Sequence, residues 1–347
     1  MLTLFLFAVW GFRLWTLVVI PFTTMGNGHS RPYIPPINPD PMEPAMPLSL
    51  RPGPDSRRLQ PGQRCELVVA DVVTSAVTAI HDTNELIEAP NWTRDGQWLI
   101  YNADGRLFRI STDGGDGPHR IPTAPMENLN NDHVLSPDGA QIYLSANDGH
   151  LYAVPLTGGT PRKLSHDQNP ARAYRYYLHG VSPDGQTLAY VALEAKGTGV
   201  TTRIATLPAA GGDETYLTDG ACPVDGPDYA PGGTWLYFNS EQGATRPGHA
   251  QIFRMRPDGS GVEQLTHDAR VNWFPHPSPD GRLMVYISFP AGTVGHPADR
   301  PVIVRLAQAD GTHLRDIDAF NGGQGSLNVP SWAPDARRFA YVRYPLA

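Results

Sequence analysis

The sequence predicts an all-β fold, a six-bladed β-propeller of four-stranded blades whose last blade is completed by strands from the N-terminal side. Three observations predict it. A turn motif recurs six times at near-even spacing, each copy is followed by the same run of short strands, and the two ends of the repeat region hold complementary half-blades.

The turn motif stands at Thr93-Arg94-Asp95-Gly96, Ser136-Pro137-Asp138-Gly139, Ser182-Pro183-Asp184-Gly185, Ala230-Pro231-Gly232-Gly233, Ser278-Pro279-Asp280-Gly281 and Ala333-Pro334-Asp335-Ala336, at intervals of 43, 46, 48, 48 and 55 residues. Proline presets φ at the second position of a type I turn and glycine relieves the exit. An apolar strand follows each copy, as in Trp98-Leu99-Ile100-Tyr101 or Leu283-Met284-Val285-Tyr286. Next come an alternating strand such as Ile252-Phe253-Arg254-Met255, a Gly-rich turn such as Thr157-Gly158-Gly159, and a short last strand near Leu164-Ser165 or Leu265-Thr266. β-Branched and aromatic residues bounded by Gly, Pro and Asp signal strands, and four strands per repeat make a propeller blade. The sixth repeat stops after two strands, while two unmatched strands, near 66–72 and 76–80, precede the first. Joining these halves closes the ring and removes exposed sheet edges.

Two segments are expected before the propeller of residues 65–347. Residues 1–25 hold a single charge, Arg13, in an apolar run long enough for an export signal or a membrane anchor. Residues 26–64 read as a linker, because the prolines from Pro32 to Pro61 remove backbone donors and favour extended, solvated chain. The protein is therefore expected in the periplasm or outside the cell, free or held to the membrane by its N-terminal segment. A net charge of −7, with scattered rather than blocked charges, leaves no basic footprint for nucleic acid. Cys65 and Cys222 fall on separate blades and are expected to be free thiols.

The repeat resembles the TolB-like propeller family, whose blades carry an aromatic or apolar residue followed by Ser-Pro-Asp-Gly, and the resemblance covers residues 66–347. TolB carries an α/β domain before its propeller and works in the Tol–Pal envelope complex; here a proline-rich tract stands in that place. Similar propellers accompany prolyl oligopeptidase-like catalytic domains, but this sequence has no Gly-x-Ser-x-Gly elbow. A related seven-bladed propeller occurs in oligogalacturonate lyases, which use channel histidines and a metal. That resemblance directs attention to the histidines.

The first strand of each propeller blade lines the central channel, so residues just before each turn motif are the candidates for chemistry. His133 and His179 share the register three residues before the turn, and Asp228 and His276 the next, so alternation along a strand aims the two pairs in opposite directions. Asn130, Asn131, Asp132, Asp225, Asn272, Gln324 and Asn328 flank them. Imidazoles with carboxylates suit a divalent metal held by His133, His179 and His276, or a general base acting on a uronic-acid sugar; equally, they suit a wet polar lining that hydrogen-bonds. The loops between second and third strands lengthen along the chain, and 241–250 and 290–300 bring Arg246, His249, His296 and Arg300 over the same face. Arginine there suits a carboxylate ligand. His81, His166 and His267 recur before an Asp at blade ends and are expected to serve turns, while Trp92, Trp332 and Tyr229 are expected to pack between blades. The expected function is a monomeric exported propeller that binds a protein or glycan on its channel-mouth face. The alternative is a carbohydrate-active enzyme, a polysaccharide lyase using channel histidines with or without a metal.

Overall fold

A computed structural model describes residues 57–115, 117–197 and 199–346. The apolar start and the proline-rich tract up to residue 56 lie outside the described residues, and with them the expected signal or anchor. Among the described residues no helix is long and apolar enough to cross a membrane.

Five four-stranded antiparallel sheets succeed one another along the chain. Their innermost strands are β3 (Ile87–Trp92), β7 (Leu129–Leu135), β11 (Arg175–Val181), β15 (Val224–Tyr229) and β19 (Val271–Pro277). In the sixth blade β23 (Arg338–Arg343) pairs with β1 (Cys65–Asp71), and β1 with β2 (Val77–Thr83), so the N-terminal strands stand in the last blade. The inner position of that blade is taken by residues 326–332, held by a bridge between Trp332 and Phe339 and by Val342 N donating to Ser326 O at 3.0 Å.

The repeated turn works through its side chains. In the second blade Ser136 Oγ donates to Asp138 Oδ1 at 2.5 Å and accepts from Gln141 N at 2.9 Å. Ser182–Asp184, Ser278–Asp280 and Thr93–Asp95 repeat the first of these bonds. The turns also touch around the ring. A Cβ on the glycine of one turn would lie within 4 Å of the neighbouring turn for Gly185 and Pro137, Gly233 and Pro183, Gly281 and Pro231, and Gly96 and Pro334. The last pair joins the first blade to the sixth.

The core lies between blades. Strand alternation in β1 sends Val68, Ala70 and the following Val72 into the cluster shared with the fifth blade, around Phe289 and Val304. It sends Cys65 and Leu67 into the cluster shared with the first blade, around Leu99 and Tyr101. β23 splits likewise, with Phe339 and Tyr341 on one side and Ala340 and Val342 on the other. Cys65 and Cys222 are both free.

Residues 57–64, on the linker side of the expected boundary, pack onto this body. Gln63 is buried and bridges to Leu346, and Leu59 packs against the cluster around Tyr101.

Truncating a fully buried leucine costs about 2–5 kcal/mol. Leu67→Ala in β1 should therefore destabilise the protein about as much as Leu188→Ala in the third blade, both being fully buried. Urea unfolding with unchanged m-value checks this, and a loss below ~1 kcal/mol for Leu67→Ala would show that β1 is peripheral.

Candidate functional site at the channel mouth

Three inner strands share one irregularity. Ala89, Gly226 and Phe274 have φ of +55°, +60° and +54°, each precedes a proline, and the pairing register shifts at each. Such a bulge re-aims the side chains around it. Gly226 is required here, because a Cβ would lie 2.9 Å from Cδ1 of Phe274. The residue before each left-handed position is Glu88, Asp225 or Trp273, and the residue after each proline is Asn91, Asp228 or His276.

These bulges place two buried acid–imidazole pairs. His179 Nε2 lies 3.1 Å from Asp225 Oδ1, and its Nδ1 lies 3.0 Å from the carbonyl of Asn328 in the sixth blade. The third and sixth blades face each other across the ring, so this side chain is a strut through its centre. Both its nitrogens face oxygens, which is the pattern of an imidazolium. Burial disfavours that charge, but Asp132 and Asp225 overcome burial and hold the pKa of His179 at about 9. Asp225 is held well below the usual carboxylate range, against its own burial, by His179 and His296. His276 forms the second strut. Its Nδ1 lies 3.0 Å from Asp228 Oδ2, its Nε2 lies 3.1 Å from the carbonyl of Leu327, and its own carbonyl accepts from Trp332 Nε1 at 2.9 Å. Burial pushes the Asp228 carboxyl up, with His276 pulling the other way.

His296 joins from the long loop of the fifth blade. Its Nε2 lies 3.5 Å from Asp225 Oδ2, and its ring packs against Trp273 and Phe274 with centroids 4.6 and 5.0 Å away. Asp132 completes the group: burial pushes its carboxyl up to about 6, although the charge on His179 pulls it down.

The expected convergence of His133, His179 and His276 on a metal does not occur. His133 is fully buried, its Nδ1 lies 2.9 Å from the carbonyl of Asn131, and burial lowers its pKa to about 4, so it is neutral. His179 and His276 spend both nitrogens on struts. Among the described residues no three His, Cys, Asp or Glu side chains are gathered for an ion. Within β15 the register shift between Asp225 and Asp228 lets each carboxylate meet its own imidazole, His179 and His276 respectively. Arg246 and His249 tie their loop to the segment before β19, Arg246 donating to the carbonyl of Ala269 at 2.9 Å and His249 contacting that of Asp268 at 2.9 Å. Arg300 is exposed at the start of β21 (Arg300–Gln308), apart from the buried group.

A serine–histidine–aspartate series does occur elsewhere, with His150 Nδ1 at 3.0 Å from Ser165 Oγ and Nε2 at 3.4 Å from Asp167. Its hydroxyl, however, accepts from Leu151 N at 3.0 Å, as Thr218 does from Ile204 N and Thr266 from Ile252 N. The serine is thus a repeated strand-pairing residue of the blade rather than an activated nucleophile.

Sequence reasoning passed over Glu88, Asp299 and Arg57. Arg57 reaches the mouth from the tract before β1, where its guanidinium donates to the carbonyl of Gln324 at 2.6 Å. It lies 3.7 Å from Glu88 and 3.3 Å from Asp299, and stacks 3.7 Å above the Tyr344 ring. The signal for Glu88 was available: Glu88-Ala89-Pro90 aligns with Asp225-Gly226-Pro227 once the prolines are superposed.

No family model matches the chain. An uncharacterized protein of Agrobacterium fabrum is 40% identical over 285 residues, covering 81% of this chain and 92% of its own. A solved protein of Agrobacterium tumefaciens, provisionally described as TolB, is 39% identical, covers 82% of this chain and 99% of its own, and superposes with a TM-score of 0.75. The chain belongs to the TolB-like six-bladed propeller family. TolB of Acinetobacter baumannii, 16% identical with a TM-score of 0.52 over 75% of this chain and 64% of that one, shares the fold alone.

The raised pKa of His179 gives this TolB-like propeller a pH signature. An unfolded histidine titrates near 6.5. A folded value of about 9 means the strut's contribution is complete below roughly pH 6.5 and is lost as pH rises through about 9. Asp225→Asn, which removes one partner of a buried pair, should cost about 3–5 kcal/mol at pH 7 and clearly less at pH 10 in urea unfolding.

Proposed function

We propose that the protein is an exported TolB-like propeller that binds a protein ligand on its channel-mouth face. The observation that carries this reading is how blade-specific chemistry is distributed. The turn face repeats one Ser/Thr–Asp device in four of its six turns. The mouth face gathers Glu88, Asp132, Asp225 and His296 beneath loops of unequal length. Variation on a repeated scaffold marks the surface that recognises something. Export is supported by the apolar first 25 residues. A protein is favoured over a glycan because a segment of this chain, residues 57–64, already lies at the mouth and is held there by side-chain insertion. The imidazoles that a lyase would need as bases are engaged as struts.

Site-specific photo-cross-linking in cells of the source organism tests the face. A photoreactive residue at Val294, 63% exposed on the long mouth loop, should capture a partner protein from the envelope. The same probe at Val262, 43% exposed on the turn face, should not. Capture from Val262 alone, or from neither position, would contradict the reading.

A further inference from the structure

The surroundings of Arg57 have the composition of a receptor site rather than of a packing contact. The guanidinium lies over the face of Tyr344, between the carboxylates of Glu88 and Asp299, with the carbonyl of Gln324 closing one side. An aromatic face, two carboxylates and a carbonyl are the groups that recognise a planar cation with five donors. The blades themselves supply part of the cage. Tyr344 donates to the carbonyl of Ile87 at 2.9 Å, Asn321 donates to Asp299 at 3.4 Å, and Gly325, at φ +86°, lets Glu88 and Tyr344 approach where a Cβ would lie 2.5 Å from Glu88 Oε1. Asp299 itself stands in the left-handed region at φ +57°, a conformation that non-glycine residues seldom adopt.

The occupant is held less completely than the cage. The side chain of Arg57 is 6% exposed, yet its Nε has no partner and its Glu88 contact is 3.7 Å long. Apart from Arg57, the segment is fastened near β1 by buried Gln63, which donates to Asp299 at 2.6 Å and to the carbonyl of Tyr344 at 3.1 Å and bridges to Leu346, and nearer Arg57 only by Gln60, which donates to Asp299 at 3.2 Å, and half-buried Leu59. Arg58, Gln60, Pro61 and Gly62 are exposed. A segment with few buried apolar contacts opens at low free-energy cost, well before the blades unfold.

We propose that the cage of Glu88, Asp299, Tyr344 and Gln324 is an exchangeable receptor for an arginine side chain, which Arg57 occupies at rest and an arginine-bearing peptide ligand takes over. The proposal rests on the reading of the mouth as the ligand face and names the chemistry of the partner. A tethered arginine competes at an effective concentration in the millimolar range, so a free ligand displaces it either through further contacts on the mouth or when supplied well above that concentration.

Arginine amide is the probe, and citrulline amide, of the same shape without the charge, is its control. By calorimetry the full-length Arg57→Ala protein should bind arginine amide at least about tenfold more tightly than the unsubstituted chain does, and should not bind citrulline amide. Adding Glu88→Gln to Arg57→Ala should abolish that binding. If the alanine variant does not fold, Arg57→Gln keeps most of the side chain and carries the same expectation. In the unsubstituted chain, saturating arginine amide should speed hydrogen exchange at the Gln63 amide, which is bonded to the Gln60 carbonyl. Equal affinity for arginine amide with and without Arg57, or equal binding of citrulline amide, would overturn the proposal. The larger reading fails separately, through the absence of mouth cross-links from Val294.

Discussion

The antiparallel pairing of β1 with the C-terminal strand is the interaction on which the rest of the structure depends. Six aligned residue pairs, from Glu66 opposite Arg343 to Asp71 opposite Arg338, join the two ends of the described chain. Because alternate residues of β1 enter opposite inter-blade cores, the strand does more than fill a gap. Leu67 faces the first blade and Val68 the fifth, so one strand keys together blades that are distant in sequence. Burying each such side chain contributes about 1.5–3 kcal/mol, and completing the sixth blade leaves only the outer edges that every blade has. The strand also fixes the position of everything immediately before it. Arg57 reaches Glu88 and Asp299 because β1 begins only eight residues later, at the rim of the mouth.

The second constraint is at the centre of the ring. His179 and His276 tie the inner segment of the sixth blade to blades three and five, and each is anchored by a carboxylate from blade four. The sixth blade's inner segment has little strand pairing of its own, with one bridge at Trp332, so these imidazoles supply what a regular ladder would have supplied. Groups that resemble catalytic equipment in the sequence are therefore spent on holding the channel together. Above the struts lie the acidic mouth and the loops around it.

Much of the fold was legible because each blade repeats a local mechanism. The serine and aspartate of the turn motif bond to each other and to the strand that follows, so the motif's presence and its geometry are the same fact. The half-blades at the two ends were equally legible, since strand patterning is a local property. The site was legible only in part. His179, Asp225, Asp228, His276 and His296 stood out as candidates in the sequence, but their partners were not foreseeable, because the bulges at Ala89, Gly226 and Phe274 break the alternation from which orientation was inferred. The contact of His179 with Asn328 spans 149 residues of sequence and depends on ring closure, which no local pattern encodes. Arg57 was hidden in a tract whose prolines imply a solvated linker, yet its last residues turn at Pro61 and Gly62 and pack onto the mouth.

Native-state hydrogen exchange measures the closure most directly. The account predicts that the amides of Leu67, Val68 and Val69 exchange as slowly as those of the buried third-blade residues Ala189, Tyr190 and Val191, through global unfolding alone. Exchange of the β1 amides by a faster, sub-global opening while the blades stay protected would contradict it.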